Sequence, residues 1–200
     1  MHLYMMKNAE QTWTDTHDRL LPLLSEERQK KVLRYRFDSD KILSLYAGVL
    51  TRLALMRELS CSNDQLAFTQ TDRKKPRLLP APTHPYPVDF SFSHTRQAVL
   101  LGVTKKGQIG VDIEQIQSAP FRIMPSVFHP AEITYVEQAP DTQKNHHFYE
   151  IWTRKEAYAK CLGTGLSKEL TSINTLASPI KESLYSWTME NYMCSVCVKK

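Results

Sequence analysis

The chain has 200 residues, enough to bury a real core without disulfides or a structural metal. Its 42% hydrophobic and 24% charged content, with only 6 glycines, exclude a disordered or fibrous protein. A net charge of +5 favours an anionic partner without saying which.

No stretch approaches the roughly 20 apolar residues that span a bilayer, and the opening MHLYMMKNAE turns polar too early for a signal-peptide core. The expected location is cytoplasmic, with no membrane partner. Leu3 to Met6 reads as an opening strand, and Ser25 followed by Glu26 and Glu27 is a helix start with acids in its first turn. That helix then turns basic through Arg28, Lys30, Lys31, Arg34 and Arg36. Asp38 and Asp40 can cap a second helix, in which Ile42, Leu45, Tyr46, Val49, Leu53 and Met56 form one apolar stripe.

Residues 71–87 are rich in proline and basic side chains and read as an extended loop. Alternation at Val88, Phe90 and Phe92, an apolar run from Ala98 to Val103 and renewed alternation at Ile109, Val111 and Ile113 predict three strands in a meander. Residues 120–137 are less regular, with some helix. The pattern predicts a helix from Asn145 to Leu162 that stops at Gly163, and closing strands from Tyr185 onward. The four cysteines lack the partners of a zinc site and read as structural. Strong helices near residues 40–59 and 146–162 suggest two comparable halves, 1–104 and 105–200.

Chemistry concentrates in two places. In Gly110-Val111-Asp112-Ile113-Glu114, alternation sends Val111 and Ile113 to the core and sets Asp112 and Glu114 side by side on the opposite face. Such a pair is either an exposed strand face or a site for a hard cation such as Mg²⁺, which takes oxygen ligands and bridges to phosphates. In Trp152-Thr153-Arg154-Lys155-Glu156-Ala157-Tyr158-Ala159-Lys160, Glu156 and Lys160 fall together, either as a surface ion pair or as working groups. Lys155 lies inside the apolar stripe of Phe148, Ile151, Trp152, Ala159 and Leu162, where a lysine must snorkel or meet a specific anion. Phosphoryl transfer needs a metal, a base or metal-bound water for the nucleophile's proton, and a cation for the leaving phosphate, and Asp112, Glu114, Glu156 and Lys160 can supply all three.

The two motifs, some forty residues apart, resemble the paired signature of the 4′-phosphopantetheinyl transferase superfamily, in the larger monomeric form typified by the surfactin-synthetase activator. The resemblance extends to Ser25–Lys31, Lys75-Pro76, Phe92-Ser93-His94 and the last strand around Cys197. It implies an α+β fold of two similar halves about a pseudo-twofold axis, with coenzyme A as co-substrate and an acidic apo carrier protein as acceptor. It further implies Mg²⁺, with Mn²⁺ possible, on Asp112, Glu114 and Glu156. Glu156 would help deprotonate the attacking serine, and Lys160 would contact the pyrophosphate. Arg28, Lys31, Lys75, Ser93 and His94 would hold the coenzyme, and Lys155 is placed with them.

Where the family often carries an arginine in the helix after Asp40, this chain has Leu43, with Ser44 beside it as the polar candidate. Arg73 and Lys74 precede Lys75 where some relatives have tyrosine and glycine. Met124, Val127 and Phe128 are the expected apolar docking patch for the carrier, or else plain core. Two other classes compete. A nucleic-acid module would use the Arg28–Arg36 stripe with Tyr35 and Phe37, but leaves the carboxylates idle. A metal-dependent phosphohydrolase would use the same carboxylates without a protein acceptor.

Overall fold

The computed structural model describes residues 1–69, 75–82, 85–163 and 168–199. Arg73, Lys74 and part of the loop expected at 71–87 lie outside the described residues. The chain divides after Lys106 into two compact units, Met1–Lys106 and Gly107–Lys200.

The first unit runs β1 (His2–Lys7), α1 (Asp15–Leu20), α2 (Glu26–Leu33), α3 (Asp38–Leu59), β2 (Asp89–Thr95) and β3 (Ala98–Thr104). Its sheet is antiparallel in the order β1-β3-β2, with Tyr4 opposite Leu101 and Phe92 opposite Leu101 on the other side. The central β3 has every residue buried, which explains its unbroken apolar run. Ser25 takes the extended conformation expected ahead of α2. Phe37 caps α3, so Asp38 falls in the first turn, where its carboxylate accepts from the backbone of Trp13 and from Lys41.

The apolar stripe expected on α3 is only one of its buried faces. Leu45 and Val49 pack with Leu24 and Val32, against the preceding helices. Leu43 and Ala47 instead meet Val99 of the sheet. Leu53, assigned to the stripe, is 54% exposed. A helix covered on two sides carries no single amphipathic stripe to read.

The second unit runs β4 (Gln108–Gln115), α4 (Met124–Val127), α5 (Pro130–Glu137), α6 (Asp141–Leu162), β5 (Leu184–Met189) and β6 (Tyr192–Lys199). The sheet order is β4-β6-β5, all antiparallel. α6 begins before the expected Asn145 and ends at Gly163, whose φ of 70° is the left-handed conformation that glycine tolerates.

Each unit therefore repeats one topology. A first strand is followed by helices ending in a 22-residue helix, then by a hairpin whose last strand inserts at the sheet centre. The expected α+β architecture of two similar halves holds at this level. The expected meander does not, because β3 and β4 belong to different sheets and the turn at Gly107 joins the units. The apolar patch also resolves as core: Met124 and Phe128 are buried with Val136 and Phe148, and Val127 is partly buried against them. The four cysteines are free thiols, and three are buried. Among the described residues no helix is long and apolar enough to cross a membrane.

Candidate active site

The second unit assembles its site on the contact between β4 and α6. Gly110, Asp112 and Glu114 alternate onto one face of β4, and α6 covers that face at Gly110 and Asp112. A methyl group at Gly110 would lie 1.9 Å from the carbonyl oxygen of Ala157 and 2.4 Å from the backbone nitrogen of Cys161. Only a glycine permits this approach. Thr153 reinforces it, its hydroxyl lying 2.8 Å from that of Ser195 on β6. Val111 and Ile113 are fully buried as expected, but Asp112 is buried too, at 2% exposure. Asp112 does not occupy a solvent face, because α6 packs over it, whereas Glu114 further along the strand is half-buried.

Lys160 donates to Asp112 Oδ1 at 2.6 Å. Glu156, one helical turn before Lys160, is pushed up to about 7 by burial first and then by Asp112, with Glu114 adding to it and Lys160 opposing. A carboxylate in this state is poised to exchange a proton near neutrality. Among the described residues no group of three His, Cys, Asp or Glu is drawn together closely enough to hold a metal as it stands. The donor set nevertheless fits a hard cation. Asp112 and Glu114 both disfavour the charged form of Glu156, and a divalent cation would relieve that repulsion.

Lys155 does not join this group. It is 2% exposed and donates to the carbonyls of Leu170 at 2.7 Å and Ile173 at 2.6 Å, while pairing with Glu132 at 2.8 Å. The specific anion that its place in the stripe demanded is supplied by the protein. Three partners within the protein thus take up its three protons. Burial lowers the pKa of Lys155, and Glu132 opposes that shift.

In the first unit a cavity of about 340 Å³ carries positive charge from Arg28, Lys30, Lys31, Arg34 and Arg52 beside the rings of Phe68, Phe90 and Phe92. Arg28 donates to the carbonyl of Ser44 at 2.9 Å and lies over the Phe92 ring. Burial lowers the pKa of both Arg28 and Lys31, the latter also through Arg28. Two crowded, partly desolvated cations are the arrangement an anion would relieve.

Lys75, Ser93 and His94 are outside the described lining of this cavity. Lys75 is paired with Asp89, Ser93 is buried in β2, and His94 on the same strand is exposed. Ser44 is fully buried within α3, and its carbonyl accepts from Arg28. Leu43 is likewise buried, against Val99.

Arg52 was not among the candidates read from the sequence. It lines the cavity at 8% exposure, donates to the Asn63 side chain at 2.8 Å and lies over Phe68. The signal was present, since Ser44, Gly48 and Arg52 recur at four-residue steps down one line of the helix.

Comparison with known proteins separates the readings. The family model described as 4′-phosphopantetheinyl transferase superfamily matches residues 108–200, and that described as 4′-phosphopantetheinyl transferase, N-terminal, matches residues 11–106. A Synechocystis sp. protein, slr0495, assigned to the same transferase activity, is 32% identical over 171 residues, covering 82% of this chain and 68% of its own. The chain belongs to the 4′-phosphopantetheinyl transferase superfamily. Other members similar to it are the 4′-phosphopantetheinyl transferase gsp of Aneurinibacillus migulanus, 25% identical over 87% of this chain and 76% of its own, and Sfp of Bacillus subtilis, 24% identical over 86% and 73%. The resemblance carried by the two motifs thus extends over both units. In this phosphopantetheinyl transferase Asp112 of the strand motif and Lys160 of the helix motif meet at the β4–α6 contact.

Proposed function

We propose that this chain transfers the 4′-phosphopantetheine arm of coenzyme A to a serine hydroxyl of an apo carrier protein, releasing adenosine 3′,5′-bisphosphate. The observation that carries the reading is the meeting of Asp112, Glu114, Glu156 and Lys160 at the contact of β4 with α6, in a chain whose two halves both match the superfamily.

Asp112, Glu114 and Glu156 would hold Mg²⁺, or Mn²⁺, whose chemistry when bound is to neutralise the pyrophosphate oxygens. Glu156 accepts the serine proton, directly or through a water, the cation keeping its carboxylate ionised for that task. The serine oxygen forms its bond to the β-phosphorus while the bond to the leaving bisphosphate oxygen breaks. Lys160 moves between Asp112 and the phosphate charge as that charge develops. Arg28 and Lys31 hold coenzyme phosphate in the first unit, with Arg52 as a further cation of the same cavity. Lys75, Ser93 and His94 complete the coenzyme's contacts.

The charge of +5 suits an acidic carrier, whose encounter would be steered and therefore salt-sensitive. The same proposal places the protein in the cytoplasm, acting as a monomer, and its free cysteines agree with a reducing compartment. The test is incubation with coenzyme A, Mg²⁺ and a panel of apo carrier proteins, followed by mass spectrometry. A phosphopantetheine adduct on serine is expected. Phosphate or bisphosphate released at the same rate without any acceptor would point to a phosphohydrolase instead.

A further inference from the structure

The second unit contains a buried ionic node apart from the metal-site acids. Glu132 is fully buried, and its Oε1 accepts from both the backbone N–H and the hydroxyl of Thr175, at 2.8 and 2.6 Å. Its Oε2 accepts from the N–H of His129 at 2.8 Å and from Lys155 at 2.8 Å. Lys155 in turn holds the carbonyls of Leu170 and Ile173. Two opposite charges thus tie together three stretches of chain: the start of α5, the middle of α6, and the segment from Leu170 to Thr175 that returns after α6 has ended.

A buried pair of this kind is weak evidence of stability, because desolvation offsets much of the attraction. What it provides is geometric definition. The carboxylate meets four donors and the ammonium three acceptors, so neither group has a second low-energy arrangement. Lys155 is the residue immediately before Glu156, on the helix turn that faces Asp112. Any rotation or axial slip of that turn would have to break the node.

We propose that Lys155 and Glu132 form a positioning pair for the transfer step, fixing the α6 turn that carries Glu156 against the returning segment, and that Lys155 makes no contact with coenzyme A. This rests on the transferase reading, and wild-type protein tested in parallel separates the two: no transfer by wild type refutes that reading, whereas the variants below judge the pair.

The measurements are kcat with a carrier acceptor and the dissociation constant for coenzyme A, on Lys155→Met, Glu132→Gln and the double variant Lys155→Met with Glu132→Gln. Each single substitution leaves one buried charge without its partner. Misplacement of a reacting group by about 1 Å can lower turnover on the order of 10²-fold. The expected result is a kcat drop of at least about tenfold in each single variant, with coenzyme A affinity within about threefold of wild type. In the double variant kcat should recover at least about fivefold over the worse single, because no lone buried charge remains. Strictly multiplicative losses in the double variant, or an affinity loss of about tenfold or more in Lys155→Met alone, would overturn the proposal. Should the lysine variant not fold, Thr175→Val removes one donor to Glu132 at a residue distant in sequence from the motif; a lower kcat with unchanged coenzyme affinity supports the pair, and an unchanged kcat refutes it.

Discussion

Gly110 and Ala157 touch so closely that the strand and the helix share a contact no side chain could enter: a β-carbon on Gly110 would fall 1.9 Å from the Ala157 carbonyl oxygen. This approach sets the separation between the face bearing Asp112 and the turn bearing Glu156. Gly110→Ala must therefore displace backbone, not merely a flexible side chain. We expect a stability loss of about 3 kcal/mol or more by denaturant unfolding, with transfer activity lost even in the fraction that remains folded.

Glu156 makes stability depend on pH in an unusual direction. Its folded value of about 7 exceeds the ordinary 4.5, so the native state binds the proton more tightly than the unfolded chain does. Metal-free protein should be most favoured by this group below pH 4.5 and should lose that contribution progressively as pH rises through 7. Glu156→Gln removes the penalty. At pH 8 without metal it should be more stable than wild type by on the order of 2 kcal/mol, and the difference should vanish near pH 4. Thermal melts at the two pH values decide this, and the same variant should be inactive in transfer.

A bound cation must displace that proton. Mg²⁺ affinity is accordingly expected to rise with pH up to about 7 and then level off, with proton release on binding below that point, as titration calorimetry in two buffers would register. Asp112→Ala should abolish both the affinity and transfer.

Lys160 faces Asp112 at 2.6 Å, with the carboxylate almost wholly buried. Lys160→Met removes a cation from beside a buried anion, and a loss of about 3 kcal/mol in stability is expected together with loss of turnover. Asp112→Asn combined with Lys160→Met should recover much of the stability but none of the activity, which distinguishes the two roles of the pair.

In the first unit, Arg28→Ala and Lys31→Ala should raise KM for coenzyme A by about tenfold each with kcat little changed, since a charge-assisted hydrogen bond contributes about 1.5–3 kcal/mol. Arg52→Ala should act in the same direction. Ser44→Ala should not, because the Ser44 side chain is fully buried. Steady-state kinetics at two salt concentrations would check all four.

Much of this was legible in the residues. The start at Ser25, the stop at Gly163 and the period-two run over Asp112 and Glu114 are local signals, and each element formed where its signal lay. What failed was non-local. Strand alternation gives two faces but not which neighbour covers them, so α6 over Asp112 was unreadable until Gly110 met Ala157. The meander failed because a Lys-Lys-Gly turn looks the same within a hairpin as between units. Lys155 breaks the apolar stripe of its own helix, which is a local signal, but its partner Glu132 stands on a separate helix that no spacing within α6 reveals. Arg52 was hidden in a helix whose two buried sides blur its period.

The central position of the last strand in each sheet also governs the order of assembly. His2 pairs with Val103, and Gln108 with Lys199. During synthesis β1 must therefore wait for nearly the whole first unit before it finds a partner, and β4 for the whole second. Neither sheet can nucleate from its own beginning. Closing such long loops is expected to be slow, which would leave the first strand of each unit as an unpaired edge until the hairpin that receives it has been made.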